Sequence, residues 1–282
     1  MTATPTGRLL ISHITLRGPE LAQVYAQVAA RPEVSADDLR DRLAPAAAGA
    51  SPFELADAPL REALSFLSLA GLVEARGRQR RYSAAPLLPG APFPLLLLHH
   101  LRRHAEERQR AISLVHQALV TEDMLTTTAP ALRDQIERGP LRDLFAWTGE
   151  KVTLWAHLAA YLGLIRRVER SAELLAVPAL DLTLAALTWA AAELNGDSSL
   201  DAALRWIDAG LFACLTARGR VHRGVAQTLL ALERLGQVRL SHSSDAARSL
   251  LLGERRVSDL ALAGRTLPVT TVYNGGHAHP ER

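Results

Sequence analysis

Four arginines that could bind an anion lie within six residues of the chain, in the segment RGRQRR. They are Arg76, Arg78, Arg80 and Arg81. Guanidinium groups this close repel one another unless phosphates or other anions neutralise them. Arginine also fits the narrow minor grooves of DNA. We therefore predict that this segment contacts DNA; the alternative is a solvated turn in a module that binds another protein.

Two later parts of the chain carry further candidate anion-binding side chains. One part is a helix face followed by a basic turn, with Lys151, Thr153, His157, Arg166, Arg167 and Arg170. The other part precedes or opens a predicted helix, with Arg218, Arg220, His222 and Arg223. The start of a helix favours phosphate because the backbone amides point toward it. These two parts are predicted to contact either DNA or a neighbouring module.

Residue patterns for catalysis are weak by comparison. His100 and His104 are four residues apart, with His99 beside them, and two histidines on one helix face can bind a metal. No HExxH order is present, so a surface histidine cluster is the favoured interpretation. The sequence also lacks the GxxxxGK[ST] and GxGxxG phosphate loops. We therefore predict a protein that is not an enzyme and that uses no cofactor or metal.

The composition is that of a globular, helix-rich chain. Of 282 residues, 48% are hydrophobic and 22% are charged, which excludes a disordered chain. The net charge of +3 permits nucleic-acid binding without requiring it. Cys214 is the one cysteine, and its apolar neighbours predict a buried structural thiol. The sequence has no signal-peptide pattern and no apolar run of membrane length, so we expect a cytoplasmic protein without membrane contact.

The elements that position the four arginines lie between Leu60 and Tyr82. Leu60, Leu64 and Leu67 fall on one face of a helix at the helical spacing. Gly71 ends that helix, and a short strand, the arginine-rich turn and a return strand follow. This arrangement resembles the recognition helix and wing of a winged helix-turn-helix domain. In such domains the third helix enters the major groove, and the wing, a β-hairpin, touches the backbone or the minor groove.

The resemblance implies particular contacts from this first recognition helix. Its exposed positions are predicted to be Arg61, Glu62, Ser65 and Ser68, of which Arg61 and Ser65 are the candidate DNA contacts. The set is sparse for reading bases, and the carboxylate of Glu62 opposes phosphates. We therefore expect contacts mostly with the phosphate backbone.

The order of a helix, a glycine, apolar residues and a basic hairpin recurs twice. Gly71, Gly163 and Gly236 hold the equivalent positions, followed by Leu-Val, Leu-Ile and Gln-Val. Three occurrences predict an internal repeat of winged-helix units. The expected fold is mainly α with small β-hairpin wings, built as tandem winged-helix domains joined by helices.

Predicted boundaries follow from these repeats and from a proline-rich linker near residue 90. The segments are a lead-in at 1–18, a first unit at 19–88, a linker and long helix at 89–129, a second unit at 130–178, a helix and third unit at 179–264 and a flexible tail at 265–282.

Several elements within these segments are predicted individually. They are an edge strand within Leu9–Leu16, an enlarged turn at Ala44–Ala58, one long helix at Leu95–Leu125, helices at Leu132–Ile136 and Pro140–Trp147, and a pairing of Val238–Leu240 with Ser249–Leu252.

The function that these features favour is non-catalytic binding of double-stranded DNA. In size and layout the chain is similar to the DpdG-like accessory proteins of deazaguanine DNA-modification islands. That resemblance implies an accessory subunit of a bacterial DNA-modification, antiviral defence or chromosome-handling system. One alternative is a transcription regulator that forms a homodimer through the helix at Leu95–Leu125. The other is an adaptor whose winged helices hold an ATPase or helicase.

Overall fold

The chain is mainly helical, with small antiparallel sheets beside the helices. A computed structural model describes residues 10–12, 18–43, 57–78, 80–85, 91–168, 171–244 and 248–263. Within these ranges the chain forms ten α-helices and nine short β-strands. None of the described helices combines the length and the apolar character that a membrane crossing requires. Most of the enlarged turn, most of the proline-rich linker, Arg170 and the predicted tail lie outside the described residues.

The first unit, residues 18–85, contains three helices and a hairpin. Its elements are α1 (Gly18–Ala30), α2 (Ala36–Leu43), α3 (Asp57–Leu69), β1 (Val73–Arg76) and β2 (Arg81–Ala84). The sequence places Leu21, Val24, Tyr25 and Val28 on one side of a helix, and all four are buried in α1. Ser35 precedes α2 as a cap residue, and its Oγ accepts a hydrogen bond from the Asp38 amide at 3.1 Å.

A single residue between α1 and α2 extends the sheet of the first unit. Val34 and Tyr82 exchange two backbone hydrogen bonds, of 3.0 and 2.8 Å, in an antiparallel bridge. The sheet order is therefore Val34, β2, β1. This bridge fixes the base of the hairpin to the helices, because Val34 and Tyr82 are both buried.

The long helix predicted at Leu95–Leu125 is wrong. The chain instead forms α4 (Phe93–Arg103), a 3-10 helix at Glu107–Arg110 and α5 (Ala111–Thr121). The helix stops where the apolar pattern is interrupted, because residues 102–108 are charged or polar apart from one alanine. His104 at this break bonds the Leu69 carbonyl oxygen through Nε2 at 2.9 Å.

The charged segment Arg102–Arg110 is partly a packing surface rather than a fully solvated one. Arg102 is half-buried and donates to the Gln117 side chain at 2.7 Å and to the Asp208 carbonyl oxygen at 2.9 Å. These bonds join α4 to α5 and to the later helix that carries Asp208.

The second unit, residues 111–177, repeats the order of the first with α5 as its first helix. The further elements are β3 (Thr126–Thr128), α6 (Ala129–Arg138), α7 (Gly149–Tyr161), β4 (Arg166–Arg167) and β5 (Glu173–Leu175). The sheet order is β3, β5, β4, so the strand between the first two helices again pairs with the return strand.

Two helix predictions in the second unit need correction. The helix predicted at Leu132–Ile136 is longer, Ala129–Arg138, and follows α5 as the second helix. The helix predicted at Pro140–Trp147 is a 3-10 turn at Pro140–Asp143. The remaining residues leave the helix because Trp147 is buried and donates through Nε1 to the Leu141 carbonyl oxygen at 2.9 Å.

The third unit, residues 180–263, has the same order with a longer wing. Its elements are α8 (Leu180–Glu193), α9 (Leu200–Gly210), α10 (Arg223–Arg234), β6 (Val238–Ser241), β7 (Leu250–Leu252), β8 (Arg255–Val257) and β9 (Asp259–Leu262). Ser199, between α8 and α9, bridges Asp259. The predicted pairing of Val238–Leu240 with Ser249–Leu252 is wrong, because β6 pairs with β9 while β7 and β8 form their own hairpin.

The third helix of each unit ends on the same backbone turn. Gly71, Gly163 and Gly236 have φ angles of 77°, 76° and 67°, which confirms them as the helix-ending residues. After each glycine, the next amide bonds the carbonyl oxygen five residues back at 2.9 Å. That bond is the Schellman closure, and it turns the chain from the helix into the first strand of the wing.

Residues 10–12, ahead of α1, pack into the interior as a 3-10 helix rather than as a strand. The described part of the predicted edge strand is a 3-10 helix at Leu10–Ser12, and Leu10 and Ile11 are buried. The Leu10 amide donates to the Gln109 side chain at 2.9 Å, and the 3-10 helix packs on α7. One apolar core therefore runs through all three units.

Candidate nucleic-acid interface

The first wing separates its four arginines into two pairs. Arg76 forms an ion pair with Glu74 at 2.6 Å, although both side chains are largely exposed. Arg81 donates to the Glu33 carbonyl oxygen at 3.0 Å, which holds its guanidinium over the base of the sheet. These two arginines are already engaged by the protein itself.

The other pair, Arg78 and Arg80, occupies the tip of the wing. Gly77 and Arg80 have positive φ angles of 72° and 45°, and the Arg80 amide bonds the Gly77 carbonyl oxygen at 3.2 Å. Both arginine side chains are exposed. Among the described residues, neither side chain has a hydrogen-bonding or ionic partner. Two uncompensated guanidinium groups on a tight turn are suited to two adjacent phosphates.

The exposed side of α3 lies next to this wing in the fold. Arg61 and Ser65 are exposed and one helical turn apart, while Leu60 and Leu64 are buried on the opposite side. The structure therefore places both predicted contacts of the first recognition helix on its surface. Near the base of the wing, the pKa of Asp38 is lowered, mainly by its hydrogen bonds with Ser35.

Lys151 of α7 was predicted to bind an anion, but its ammonium instead contacts the protein itself. Its ammonium donates to the Ala146 carbonyl oxygen at 2.6 Å and lies 4.8 Å from the centre of the Phe145 ring. Thr153 is exposed, but its hydroxyl donates to the Gly149 carbonyl oxygen one turn earlier, at 2.9 Å. The ammonium of Lys151 therefore stabilises the start of α7, and the Thr153 hydroxyl is bonded to the backbone of its own helix.

His157 and Arg167 meet on the surface of the second unit. The Nη1 atom of Arg167 is 3.1 Å from His157 Nδ1, and an arginine can only donate, so the imidazole accepts. Partial burial, and then the nearby guanidinium, lower the pKa of His157. Arg166 is exposed on the adjacent strand position, so the two arginines and the histidine form a second, smaller basic surface.

His222 lies in the interior, and the prediction that it faces DNA is therefore wrong. Its exposed fraction is 0%, its Nδ1 accepts from the Gly224 amide at 3.2 Å, and its Nε2 is 3.2 Å from the Met124 carbonyl oxygen. The proton must be on Nε2, because Nδ1 accepts and a carbonyl can only accept. His222 is thus the N-terminal cap of α10 and a link to the second unit.

The start of α10 is covered by the second unit. Thr228 donates to the Pro178 carbonyl oxygen at 2.9 Å. A Cβ atom on Gly224 would overlap the Ala176 carbonyl oxygen, so the helix backbone lies directly on the chain there. Arg223 is exposed, but it bonds Asp123 at 3.3 Å. This helix end cannot enter a DNA groove while the two units are packed in this way.

Arg218 and Arg220 remain on the surface beside α10. Thr216 and Arg220 are joined by a backbone hydrogen bond of 2.8 Å, and Gly219 between them has a φ angle of 69°. This tight turn presents both arginine side chains to solvent.

The sequence interpretation omitted two arginines on the third wing. Arg239 of β6 and Arg256 of β8 are exposed. The exposure of Arg239 could have been predicted from the sequence, because residues alternate between buried and exposed along a strand and Arg239 lies between two apolar residues that are buried. Arg255, their neighbour, instead forms a two-pronged ion pair with Glu233.

We also compared the positions of the histidines and of the cysteine within the described ranges. Among the described residues, no group of three or more histidine, cysteine, aspartate or glutamate side chains is arranged to hold a metal ion. Cys214 is buried, as predicted, and burial raises the pKa of its thiol well above the usual value.

Comparison of the chain with protein-family models, with curated proteins and with solved structures gives no significant match.

Proposed function

We propose that the chain is a tandem winged-helix protein that binds double-stranded DNA through its first unit. The strand between the first and second helices pairs with the return strand of the hairpin in all three units, through Val34, β3 and Ser199. That connection is the one expected of a winged helix. The first unit supplies the main contacts, and the second supplies a weaker phosphate contact through Arg166 and Arg167.

The observation that carries the proposal is the pair Arg78 and Arg80 at the tip of the first wing. Both are exposed and lack a side-chain partner among the described residues, whereas Arg76, Arg81 and Arg223 each bond another part of the chain. An unpaired arginine loses no internal bond when it binds a phosphate. The favoured surface is therefore the first wing together with Arg61 and Ser65 of α3.

The test is equilibrium binding of a random-sequence duplex to the wild type and to Arg78→Glu/Arg80→Glu. Because the variant reverses the charge at two proposed phosphate contacts, it is expected to bind the duplex at least about tenfold more weakly at low salt. The matched control is Arg108→Glu/Arg142→Glu, which changes the charge equally at two exposed positions of the 3-10 helices. If both variants bind like the wild type, or if the wild type does not bind at low salt, the proposal fails.

A protein-binding role is the second candidate, and the third unit favours it. Helix α10 contacts Pro178, which lies between the second and third units, and Asp123 of the second unit, so this recognition-type helix already makes a protein contact within the chain. An adaptor would use its arginines on an acidic partner surface, such as that of an ATPase or helicase. Binding that requires such a protein and shows no duplex affinity would favour the adaptor.

The biological role of the proposed DNA binding stays a prediction. An accessory role in DNA modification, antiviral defence or chromosome handling would show as binding that depends on phosphates and little on sequence. A homodimeric regulator would instead prefer one palindromic site by several kcal/mol. Since α4 and α5 are separate helices that contact other elements of the chain, the long dimerisation helix that the regulator would use is absent from residues 91–125.

A further inference from the structure

A cavity of about 310 Å³ lies where the end of α3 meets the last turn of α4. Its lining residues are Ala70, Gly71, His99, His100, Arg103 and His104. The proposed DNA contacts do not use any of them. His104 is already satisfied, because Nε2 meets the Leu69 carbonyl oxygen and Nδ1 accepts from the Glu106 amide at 3.1 Å. The remaining polar groups of the cavity are His99, His100 and Arg103.

The hydrogen bonds of His99 determine where its proton lies. Arg103 Nη1 is 2.7 Å from His99 Nε2, and a guanidinium can only donate, so Nε2 accepts. The neutral imidazole therefore carries its proton on Nδ1. That atom is buried and has no hydrogen-bonding partner among the described residues. A buried N–H donor without an acceptor is costly, so this group is suited to an acceptor from outside the chain.

A second imidazole that lines the cavity also has a buried nitrogen without a partner within the described ranges. His100 Nε2 is buried without a partner in the described part of the chain. His100 Nδ1 lies 3.3 Å from the position that a Cβ atom on Gly71 would occupy, which places this ring against the turn that ends α3. The rings of His99 and His100 are 5.8 Å apart. The cavity therefore offers a guanidinium and two imidazoles within a small volume.

We propose that this cavity binds a small oxyanion, a carboxylate or a phosphate, held by Arg103, His99 and His100. A guanidinium has N–H donors and no acceptor, each neutral imidazole carries one N–H donor, and an oxyanion provides several acceptor lone pairs at once. A cavity of this volume admits a small molecule. The proposal does not depend on DNA binding by the first wing.

A tryptophan gives the site an optical signal. The His99 ring lies 4.9 Å from the Trp189 ring of α8, and Trp189 packs edge-on against Trp206 at 5.5 Å. The charged and titratable groups around His99 are Arg103 and His100 from α4 and Glu193 from α8. Burial, then Arg103 and His100, lower the pKa of His99 to about 4, whereas Glu193 opposes this shift. A negative charge favours a protonated imidazole, so a bound anion would raise that pKa.

The experiment follows the imidazole nitrogens of His99 and His100 by NMR in the full chain. Histidine labelled with ¹⁵N is titrated with inorganic phosphate, with sodium chloride at matched ionic strength as the reference, and signals are assigned with His99→Gln. We expect saturable shifts and a raised pKa of His99. In Arg103→Gln, binding should weaken by at least about tenfold, while Arg108→Gln, an exposed arginine in the next 3-10 helix, should bind as the wild type does.

Three results would overturn the proposal. They are shifts that follow ionic strength alone, equal phosphate affinity in the wild type and Arg103→Gln, and shifts of these two histidines with duplex DNA but not with phosphate. If Arg103→Gln does not fold, thermal unfolding of the wild type and of His99→Gln decides the question. A rise in midpoint with phosphate that is larger in the wild type than in His99→Gln supports the site, and an equal rise in the two proteins contradicts it.

Discussion

Arg223 donates a hydrogen bond through Nη2 to the backbone carbonyl oxygen of Asp123 at 2.7 Å, although 100 residues separate the two in the chain. Asp123 lies in the turn after α5, and its φ angle of 53° directs the chain so that both its carbonyl and its carboxylate reach Arg223. The start of α10 is therefore joined to the second unit. This contact makes the third recognition-type helix part of the scaffold rather than of the proposed DNA surface.

Replacing Arg223 by alanine should cost little stability and no DNA affinity. Both partners of the ion pair are substantially exposed, with side-chain accessibilities of 61% and 44%, so we expect a loss of less than about 1 kcal/mol in the free energy of unfolding. Urea unfolding and duplex binding measure the two effects, with Arg234→Ala as the matched control. If Arg223→Ala loses as much DNA affinity as Arg78→Glu/Arg80→Glu, α10 is part of the DNA-binding surface.

Gly224→Ala should strongly destabilise the protein. The added Cβ would overlap the Ala176 carbonyl oxygen and also lie 3.1 Å from the His222 ring, so the helix and the second unit must separate. We expect a loss of about 3 kcal/mol in the free energy of unfolding. Gly149→Ala is the control, since no atom lies within 4 Å of its Cβ position and alanine favours a helix. Equal stability of the two variants would contradict the packing of α10 on Ala176.

Lys151→Met should affect stability rather than DNA binding. The ammonium bonds the Ala146 carbonyl oxygen and lies over the Phe145 ring, so its removal is expected to cost about 1 kcal/mol of unfolding free energy. Thermal unfolding and duplex binding provide the readouts, with the exposed neighbour Glu150→Gln as control. Reduced duplex affinity at unchanged stability would show that Lys151 contacts DNA after all.

Stability should fall as the pH falls below about 6.5, the ordinary pKa of histidine. His116 is buried against Phe212, and burial, then the nearby His222 and Arg102, lower its pKa to about 3. Below about pH 6.5 the unfolded chain binds a proton at this histidine that the folded chain does not bind. Between that pH and the pKa in the folded protein, the free energy of unfolding should fall by up to about 1.4 kcal/mol for each unit of pH.

The variant His116→Leu isolates this contribution. It removes the titrating group and retains an apolar side chain in the core, so urea unfolding at about pH 7.5 and about pH 5 should give a smaller difference than in the wild type. A pH dependence identical to that of the wild type would show that His116 is protonated in the folded protein or does not titrate on unfolding.

The parts of the fold that the sequence predicts are those with local causes. Gly71, Gly163 and Gly236 end their helices because the closing hydrogen bonds involve only neighbouring residues. The apolar face of α1 and the cap at Ser35 are local in the same sense, and both agree with the structure. The first wing was predictable because its two strands are joined by a short turn.

The parts that the sequence did not predict depend on distant residues. Residues 102–108 interrupt the apolar pattern, but charged residues such as arginine and glutamate can also continue a helix. The sequence alone therefore does not fix a break at His104, whose imidazole bonds the distant Leu69 carbonyl oxygen. The pairing of β6 with β9 spans a second hairpin that could have competed for either strand. At the candidate site, His222 appeared to be a surface residue beside arginines. Its burial depends on Met124, almost a hundred residues away.

The salt dependence of duplex binding tests the central claim most directly. The slope of log K against log salt reports how many phosphates the protein neutralises. If Arg78 and Arg80 each contact a phosphate, Arg78→Glu/Arg80→Glu should reduce the magnitude of the wild-type slope by about 2. Arg108→Glu/Arg142→Glu should leave it unchanged. A slope near zero in the wild type, or an equal slope in the Arg78→Glu/Arg80→Glu variant, would contradict DNA binding through the first wing.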